Sequence, residues 1–271
     1  MQGFRTDLAA EDIPRSGGEL AGVRSEAYDR DGFPITRVEI LDPQGASALC
    51  KPIGNYITVD VELFLRRQEN SFETAVTLLA QFLRELLPLS AEESVLVAGL
   101  GNPAITPDAV GPEAAALTMA TRHLRTQFPE DFSSFRPVSV IRTGVLGTTG
   151  MESVEILRAL CGAVKPAAVV VVDALASRSS EKLCRTVQLA DSGIVPGSGV
   201  GNDRAELSRR VLGVPVTAIG VPTVVDAGNG LIVTPRNIDR CVKDAGKLIA
   251  YALNLALHPA LSLSDVDMFV G

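Results

Sequence analysis

The stretch "AAVVVVD", residues 167–173, constrains the fold of this chain more than any other part of the sequence. Four consecutive valines leave no polar face for water, whereas a half-exposed strand alternates apolar and polar residues. A strand that is apolar on both faces needs protein on both sides, as in a parallel sheet covered by helices. The stretch "VLVAGL", residues 95–100, has the same character. We therefore expect an α/β fold, a three-layer α/β/α sandwich with a mostly parallel sheet.

The composition agrees with such a core. Of 271 residues, 46% are hydrophobic but only 4% are aromatic, and there is no tryptophan. Valine, leucine, isoleucine and alanine must therefore fill the interior. This length favours one large domain spanning residues 1–271. We expect residues 1–70 to form an irregular portion with edge strands, and residues 71–271 to form the core.

Charge argues against two classes of partner. The formal net charge is −7 and the pI is near 5.0, without a run of basic residues. Such a chain lacks the electrostatic footprint for nucleic acid or for an anionic membrane. The first residues do not resemble a signal or transit peptide, and no apolar run is long enough to span a bilayer. We expect a cytoplasmic protein.

Hydrophobic periodicity predicts the order of the elements. Two strands with period-2 alternation, at 34–40 and 55–61, are expected to pair at one edge of the sheet. A helix is expected from Phe72 to Leu87, with Ser71 as its N-cap and Pro88 as its stop. Further strands are predicted at 95–99, 138–142, 167–173, 185–190 and 214–220, and further helices at 112–127, 151–163, 203–211 and 236–257.

Four polar loops follow apolar strands, and in open α/β sheets ligands bind beyond the carboxyl ends of the strands. The loops are "GLGNPAITPDAVGP" (99–112), "RTGVLGTTGMES" (142–153), "DALASRSSEK" (173–182) and "DSGIVPGSGVGNDR" (191–204). If the strands are parallel, these loops converge at one edge of the sheet. That edge is where we expect the functional residues.

Two aspartates stand out in these loops. Asp173 follows four valines, so it should emerge at a strand tip in surroundings of low dielectric constant. Asp108 lies in a loop stiffened by Pro103 and Pro107. Two carboxyl groups a few ångströms apart do not ionise together, so one can act as acid and the other as base. This pair is suited to activating water and protonating the leaving group of an amide.

Other interpretations of these carboxylates stay open. Asp108 is also suited to a turn or a helix cap. Asp173 is also suited to capping the next segment or to pairing with Arg178. Asp191 repeats the pattern of a strand followed by an aspartate, so it is a substitute for either. Candidates for orienting the substrate or for stabilising an oxyanion are Asn102, Thr148, Thr149 and Ser198, together with backbone N–H groups of "TTG" and "GSG".

The remaining motifs are weaker. "GLGNPA" only begins a dinucleotide fingerprint, and "GSGVGN" lacks the lysine and the serine or threonine of a P-loop. His123 is expected to be a helix-surface or core histidine, and His258 to end the last helix, where its imidazole interacts with the dipole. No cofactor is indicated and no metal-ligand set is apparent, although two aspartates are able to hold a divalent ion.

The four cysteines lie far apart in the sequence and include no C-x-x-C pair. Cys50, Cys161, Cys184 and Cys241 are expected to be reduced and to behave as small buried apolar residues.

Taken together, the motifs resemble those of the germination proteases of spore-forming bacteria. The resemblance covers nearly the whole chain in order, through "FRTDLA" (4–9), "GLGN" with "TPDAVGP" (99–112), "GTTGMES" (147–153), "VVDALASRS" (171–179), "DSGIVPGSGVGN" (191–202), "VPVTAIGVPTVVDA" (214–227), "VTPRNID" (233–239) and "LNLALH" (253–258). It implies a phosphorylase/hydrolase-like fold related to that of hydrogenase maturation proteases. It also implies a zymogen form and a homotetramer.

The resemblance further implies an endopeptidase that degrades small acid-soluble spore proteins during germination, in the forespore or spore core. The two catalytic aspartates of the family fall on Asp108 and Asp173. Hydrogenase maturation proteases add a histidine that binds metal, and no matching histidine is evident in these loops, so we expect hydrolysis without a metal.

Two features depart from the family pattern. Only three residues precede Phe4, where the family has a propeptide, and a long insertion between "VVDAGNG" and "LIVTP" (226–235 here) is missing. These departures keep two alternatives open: a non-catalytic binding or assembly protein, and a maturation protease for a metalloenzyme.

Overall fold

The computed structural model describes residues 6–13, 20–90, 92–201, 204–228 and 231–271, and a nine-stranded sheet forms its centre. The strands are β1 (Val23–Arg30), β2 (Phe33–Ile40), β3 (Gly54–Asp60), β4 (Val95–Leu100), β5 (Val138–Gly144), β6 (Ala168–Ser177), β7 (Thr186–Ala190), β8 (Val216–Gly228) and β9 (Leu231–Val233). The helices are α1 (Pro43–Leu49), α2 (Glu62–Leu65), α3 (Ser71–Leu86), α4 (Val110–Ala116), α5 (Arg122–Gln127), α6 (Leu146–Thr149), α7 (Ser153–Val164), α8 (Arg209–Leu212), α9 (Ile238–Leu257) and α10 (Leu263–Val270).

The sheet has a parallel and an antiparallel part. Its order is β1-β2-β3-β7-β8-β6-β4-β5, and β9 pairs with β8. The strands β8, β6, β4 and β5 are mutually parallel, as expected for the apolar stretches of the sequence. The pairings from β1 to β8 through β2, β3 and β7 are antiparallel, and so is the pairing of β8 with β9. The antiparallel part is larger than the sequence suggested.

Both faces of the parallel part are covered, which confirms the predicted sandwich. On β6, Val170 and Val172 belong to a core that includes residues of α3, α4 and α9. Val169 and Val171, on the opposite face, contact a second core that includes residues of α7 and α8. The run of valines therefore supplies both interiors at once, because successive side chains of a strand point to opposite faces.

The first 70 residues are more regular than the sequence analysis indicated. The predicted strands at 34–40 and 55–61 are β2 and β3, and they pair with each other. The edge of the sheet is β1, which forms a hairpin with β2 and was not predicted. Helix α1 was also missed, although Asp42 caps it by accepting hydrogen bonds from the N–H groups of Gln44 and Gly45.

Three of the predicted helices differ in detail. Ser71 is the first residue of α3 and not its N-cap, and its hydroxyl donates to the carbonyl of Gln68. The predicted helix at 112–127 is broken between α4 and α5. The fully buried Asn254 explains the break, because its side chain bonds the N–H of Met119 and the carbonyl of Leu117. The first residue of the predicted helix at 203–211 lies outside the described residues, and from 204 to 211 the chain is helical only in α8, Arg209–Leu212.

The cysteines do not share one environment. Cys184 and Cys241 are buried as expected, whereas Cys50 is exposed and Cys161 is half-buried, and all four are free thiols. Burial raises the pKa of both the Cys184 and the Cys161 thiols. Among the described residues, no helix has the length and apolar character needed to cross a membrane.

Candidate active site

Asp108 lies at the end of a short 3-10 helix, Thr106–Asp108, within the long loop after β4. The N–H of Asn102 donates to Oδ2 of Asp108 at 2.7 Å. Gly101 has φ +105°, and a side chain there would overlap the carbonyl of Asp108. The hydroxyl of Thr223 on β8 donates to the carbonyl of Pro107 at 2.7 Å, which fixes the loop against the sheet. The glycines and prolines of this loop therefore place one carboxylate against the ends of the strands.

Asp173 lies inside β6 and not at its tip, because the strand continues to Ser177. It pairs with Gly220 of β8, and on its other side β4 pairs with β6 only as far as Val172. The side chain is 5% exposed, and Oδ1 accepts a hydrogen bond from the N–H of Ala174 at 2.9 Å. Asp173 was expected to emerge at a strand end, and the structure corrects this: the neighbouring strand ends there while β6 continues.

The two aspartates line one pocket of about 460 Å³. Burial raises the pKa of Asp108, although the hydrogen bond from Asn102 lowers it. Burial also raises the pKa of Asp173 well above its usual range, and the charges of Asp108 and Asp7 raise it further. A charge on Asp108 therefore opposes ionisation of Asp173. The arrangement favours the protonated form of Asp173.

Asp7 is a third carboxylate in this pocket, and the sequence analysis did not select it. Its Oδ1 accepts a hydrogen bond from the Ser198 hydroxyl at 2.6 Å, and its Oδ2 accepts one from the N–H of Ala176 at 2.8 Å. Burial raises the pKa of Asp7, while Ser198, Ala176 and the N–H of Gly199 lower it. The motif "FRTDLA" could have pointed to Asp7. The sequence analysis selected site residues in loops after predicted strands, and no predicted strand precedes this motif.

The opposite wall of the pocket is formed by the loop after β5 and the start of α7. Glu152 and Ser153 line it, and Glu152 forms an ion pair with Arg204 at 3.3 Å. The hydroxyls of Thr143 and Ser153 lie 3.2 Å apart. Neither Ser153 nor Arg204 was among the predicted site residues, although both lie in the polar loops that were expected to converge.

Asp191 does not join the pair. Its Oδ1 and Oδ2 accept hydrogen bonds from the main-chain and side-chain nitrogens of Asn55, each at 2.7 Å. The reason is topological: β7 is antiparallel to β8, so the residue after β7 lies at the opposite end of the sheet from the pocket. The interpretation of Asp191 as a substitute for either catalytic aspartate therefore finds no geometric support.

The other candidates take local roles. The Thr148 and Thr149 hydroxyls donate to the carbonyl of Val145 in their own turn. Asn102 supplies a backbone N–H to Asp108, while its side chain accepts from the N–H of Ala104. Ser198 contacts the pocket only through Asp7. The "GSG" segment thus provides anion-binding donors, and the "TTG" segment stabilises its own turn.

Metal-binding side chains are sparse in the described ranges, where no group of three histidine, cysteine, aspartate or glutamate residues is placed to hold an ion. His123 is exposed on α5. His258 is buried, and burial together with Arg136 lowers its pKa to about 4. Its imidazole is therefore neutral near pH 7, which corrects the expected charge interaction with the helix dipole.

Comparison with known sequences identifies relatives over the whole chain. The model of one family, described as germination protease, matches residues 6–229. The germination protease of Clostridium perfringens strain 13 is 36% identical over 325 aligned residues, covering 100% of both chains. That of Caldanaerobacter subterraneus is 37% identical over 319 residues, covering 99% of this chain and 98% of the relative. That of Bacillus cytotoxicus is 41% identical over 255 residues, covering 90% and 68%.

The first of these alignments is longer than this 271-residue chain, so the relative has residues without a counterpart here. Among solved structures, a NiFe hydrogenase maturation protease, HycI, from Thermococcus kodakarensis aligns with a TM-score of 0.39 and 21% identity. It covers 64% of this chain and 98% of its own.

Proposed function

This chain belongs to the germination protease family and is therefore a peptidase, and we propose that Asp108 and Asp173 are its catalytic pair. The observation that carries the proposal is the location of a buried carboxyl group, Asp173, and a half-buried one, Asp108, in one pocket, with the pKa of Asp173 raised by burial and by the charge of Asp108. The nearest charged groups that influence Asp173 are carboxylates, and this is the condition under which a carboxylic acid retains its proton.

In the proposed mechanism, ionised Asp108 is the general base and protonated Asp173 is the general acid. Asp108 accepts a proton from water while the water oxygen attacks the carbonyl carbon of the peptide bond. Asp173 gives its proton to the leaving nitrogen as the C–N bond breaks. The proton on Asp108 then returns to Asp173, which restores the starting state.

The substrates we propose are the small acid-soluble spore proteins, cleaved in the spore core during germination. The family supports a protease of germination, and the substrate follows from the sequence resemblance. Ser198 and Gly199, which now bind the carboxylate of Asp7, are proposed to orient the substrate, because such donors bind negatively charged oxygen atoms.

We propose that the chain is held in a zymogen form by its own N-terminal segment. Asp7 occupies the pocket beside the catalytic pair, and Leu8 and Ala9 are fully buried. A substrate cannot approach Asp173 from this side while Asp7 remains bound. Release of the segment, by removal or displacement, would open the pocket.

Hydrolysis is proposed to proceed without a metal, because the pocket offers two catalytic carboxylates and no neighbouring histidine or cysteine within the described residues. Dialysis against a chelator, followed by addition of zinc or nickel salts, tests this. Cleavage that persists after chelation supports the proposal, and cleavage that is lost and then restored by either metal contradicts it.

We also propose a homotetramer. The exposed apolar residues of β9, Leu231, Ile232 and Val233, support self-association, because isolated monomers rarely expose such a strand. Light scattering coupled to gel filtration measures the mass directly, and four times 28.5 kDa is the expected value.

The experiment that tests the function is incubation of the purified chain with a small acid-soluble spore protein, with the cut sites identified by mass spectrometry. The Asp173→Asn variant is run in parallel. Discrete cuts by the parent and none by the variant are expected. If neither protein cuts, the N-terminal segment is removed from both by limited proteolysis, and substrate that is then still bound and intact would identify a binding protein.

A further inference from the structure

Residues 6–8 bind to the sheet as extended polypeptide, and a short 3-10 helix, Ala9–Glu11, follows them. The N–H of Asp7 donates to the carbonyl of Ala176 on β6 at 2.9 Å. Leu8 has φ −82° and ψ 117°, an extended conformation, and its side chain is fully buried. The segment therefore occupies a groove that holds polypeptide main chain and leads to the pocket of the catalytic pair.

Gln188 forms hydrogen bonds with this main chain on both sides of Leu8. Its Oε1 accepts a hydrogen bond from the N–H of Ala9 at 2.7 Å, and its Nε2 donates to the carbonyl of Asp7 at 2.9 Å. The amide thus acts like one residue of a neighbouring strand and pairs with both a donor and an acceptor. Gln188 is buried on β7 between Val187 and Leu189, where an amide without hydrogen-bond partners would be destabilising.

The position of Gln188 relates it to the catalytic pair. Gln188 pairs with Gly220, and Gly220 pairs on its other side with Asp173. Directly paired residues point to the same face of a sheet, so Asp173 and Gln188 share one face, about 10 Å apart across two strands. Gly220 between them has no side chain, and the side chain of Leu175 fills that space, with its Cγ 2.7 Å from the place of a Cβ.

A carboxylate site lies further along the groove. Glu11 accepts hydrogen bonds from the N–H groups of Arg178 and Ser179 at 2.7 and 3.0 Å. The guanidinium of Arg178 bonds the carbonyl of Glu11 and Oδ1 of Asp12. Lys51 forms an ion pair with Asp12 at 3.1 Å. Two backbone donors and two cations at this place favour an acidic side chain.

We propose that Gln188 and the Arg178–Ser179 turn are substrate-recognition elements that the chain's own residues 7–11 now occupy. Gln188 holds the main chain of an extended substrate segment and positions it beside Asp173. The turn binds an acidic side chain of that segment and thereby selects acidic substrates. This proposal rests on the proposed endopeptidase function, and Gln188 is a positioning residue within it.

The test uses the full-length chain and its Gln188→Leu and Gln188→Glu variants. Thr186→Val, another buried polar residue of β7, is the matched control. Steady-state cleavage of a small acid-soluble spore protein is measured together with amide hydrogen exchange at Leu8 and Ala9. Gln188→Leu is expected to raise KM at least tenfold, with kcat changed less than threefold, and to speed exchange of the Ala9 amide at least tenfold. Gln188→Glu keeps the acceptor and loses the donor, so a smaller rise in KM is expected.

Several results would overturn the proposal. Faster exchange at Ala9 with an unchanged KM would mean that Gln188 holds only the chain's own segment. A fall in kcat alone, or an equal rise in KM for Thr186→Val, would mean a general disturbance of β7. A wild-type chain that does not cut the substrate even after removal of its N-terminal segment overturns both the function and this proposal, whereas a wild type that cuts while the Gln188 variants keep its KM overturns this proposal alone.

Selection of acidic substrates is tested separately. Each acidic residue near the identified cut sites of the substrate is replaced in turn by its amide. One of these substrates is expected to show a KM at least fivefold higher with the wild-type chain. If none does, the turn is not a binding site for an acidic side chain.

Discussion

Asp60 and Asp173 are two buried aspartates of the same sheet with opposite surroundings. Their exposed fractions are nearly equal, 7% and 5%. Asp60, at the end of β3, accepts hydrogen bonds from Nε of Arg185 at 2.8 and 3.0 Å and from the N–H of Glu62. Asp173 accepts a hydrogen bond from the N–H of Ala174, and the charges that shift its pKa belong to Asp108 and Asp7.

The difference shows that burial alone does not distinguish a structural aspartate from a catalytic candidate. Asp60 forms an ion pair with Arg185, so the residue ties β3 to the start of β7. Neighbouring carboxylates destabilise the ionised form of Asp173 and so raise its pKa. A carboxyl group with a raised pKa is suited to acid–base catalysis, but it lowers the stability of the fold. The nature of the neighbouring charge therefore separates the two roles.

The largest effect is expected for cleavage. Replacing Asp173 or Asp108 with asparagine removes the acid or the base, and we expect a loss of about 10³-fold in kcat/KM, within the usual range for such groups. Cut substrate quantified by mass spectrometry measures it. Asp191→Asn is the matched control, because this aspartate also follows a strand but bonds only Asn55, and its activity should stay within threefold of wild type. Equal losses in all three variants would refute the assignment.

The next effect concerns His258, a buried base, and the stability of the protein at acidic pH. The pKa of His258 is lowered to about 4, so its contribution to stability is present above the unfolded value of 6.5 and is lost as pH falls towards 4. The loss amounts to about 3 kcal/mol. Urea unfolding at pH 7 and pH 4 measures it, and His258→Leu should lose that much less than wild type on acidification. Equal losses would show that the imidazole is protonated in the folded chain.

A third prediction sets the two buried aspartates against each other. Asp60→Asn leaves Arg185 without its partner on β3 and should reduce the free energy of unfolding by roughly 1–3 kcal/mol, since Arg185 is partly exposed. Asp173→Asn should raise the melting temperature at pH 7. A raised folded-state pKa costs stability as pH rises from the unfolded pKa through the folded one, and asparagine removes this cost. Calorimetry at pH 7 compares the variants, and shifts of the same sign would contradict the comparison.

The smallest effect concerns Asp7. Its charge is the least of the influences that raise the pKa of Asp173, so Asp7→Asn should lower that pKa, and by less than Asp108→Asn does. Titration of the Asp173 carboxyl carbon by ¹³C NMR, in the chain with its N-terminal segment bound, measures this fall. A shift to higher pH would mean that Asp7 does not act through its charge.

Sequence reasoning was most successful where the chain follows a simple period. The valines of β6 fix a strand covered on both faces, and the polar loops after β4, β5 and β6 do converge. It selected Asp108 and Asp173, which the structure places in one pocket, and their catalytic roles stay predictions. These inferences held because parallel strands bring their carboxyl ends to one edge.

Sequence reasoning failed where contacts between distant parts of the chain determine the position of a residue or the end of a helix. The five residues of β7 do not determine whether the strand is parallel or antiparallel to its neighbours, so Asp191 was assigned to the wrong end of the sheet. The break between α4 and α5 depends on Asn254, more than 130 residues away. Asp7 and Gln188 become neighbours of the site only when the N-terminal segment crosses β6 and β7.

The most direct test of the account is a pH titration of the aspartate carboxyl carbons by ¹³C NMR, with Asp108→Asn and Asp173→Asn used for assignment. The account predicts two separated steps for the pair, with the higher step well above the ordinary aspartate pKa of about 3.9. It also predicts that Asp108→Asn lowers the pKa of Asp173. Two independent titrations near 3.9, unchanged when either partner is replaced, would contradict the claim that these carboxyl groups share a proton.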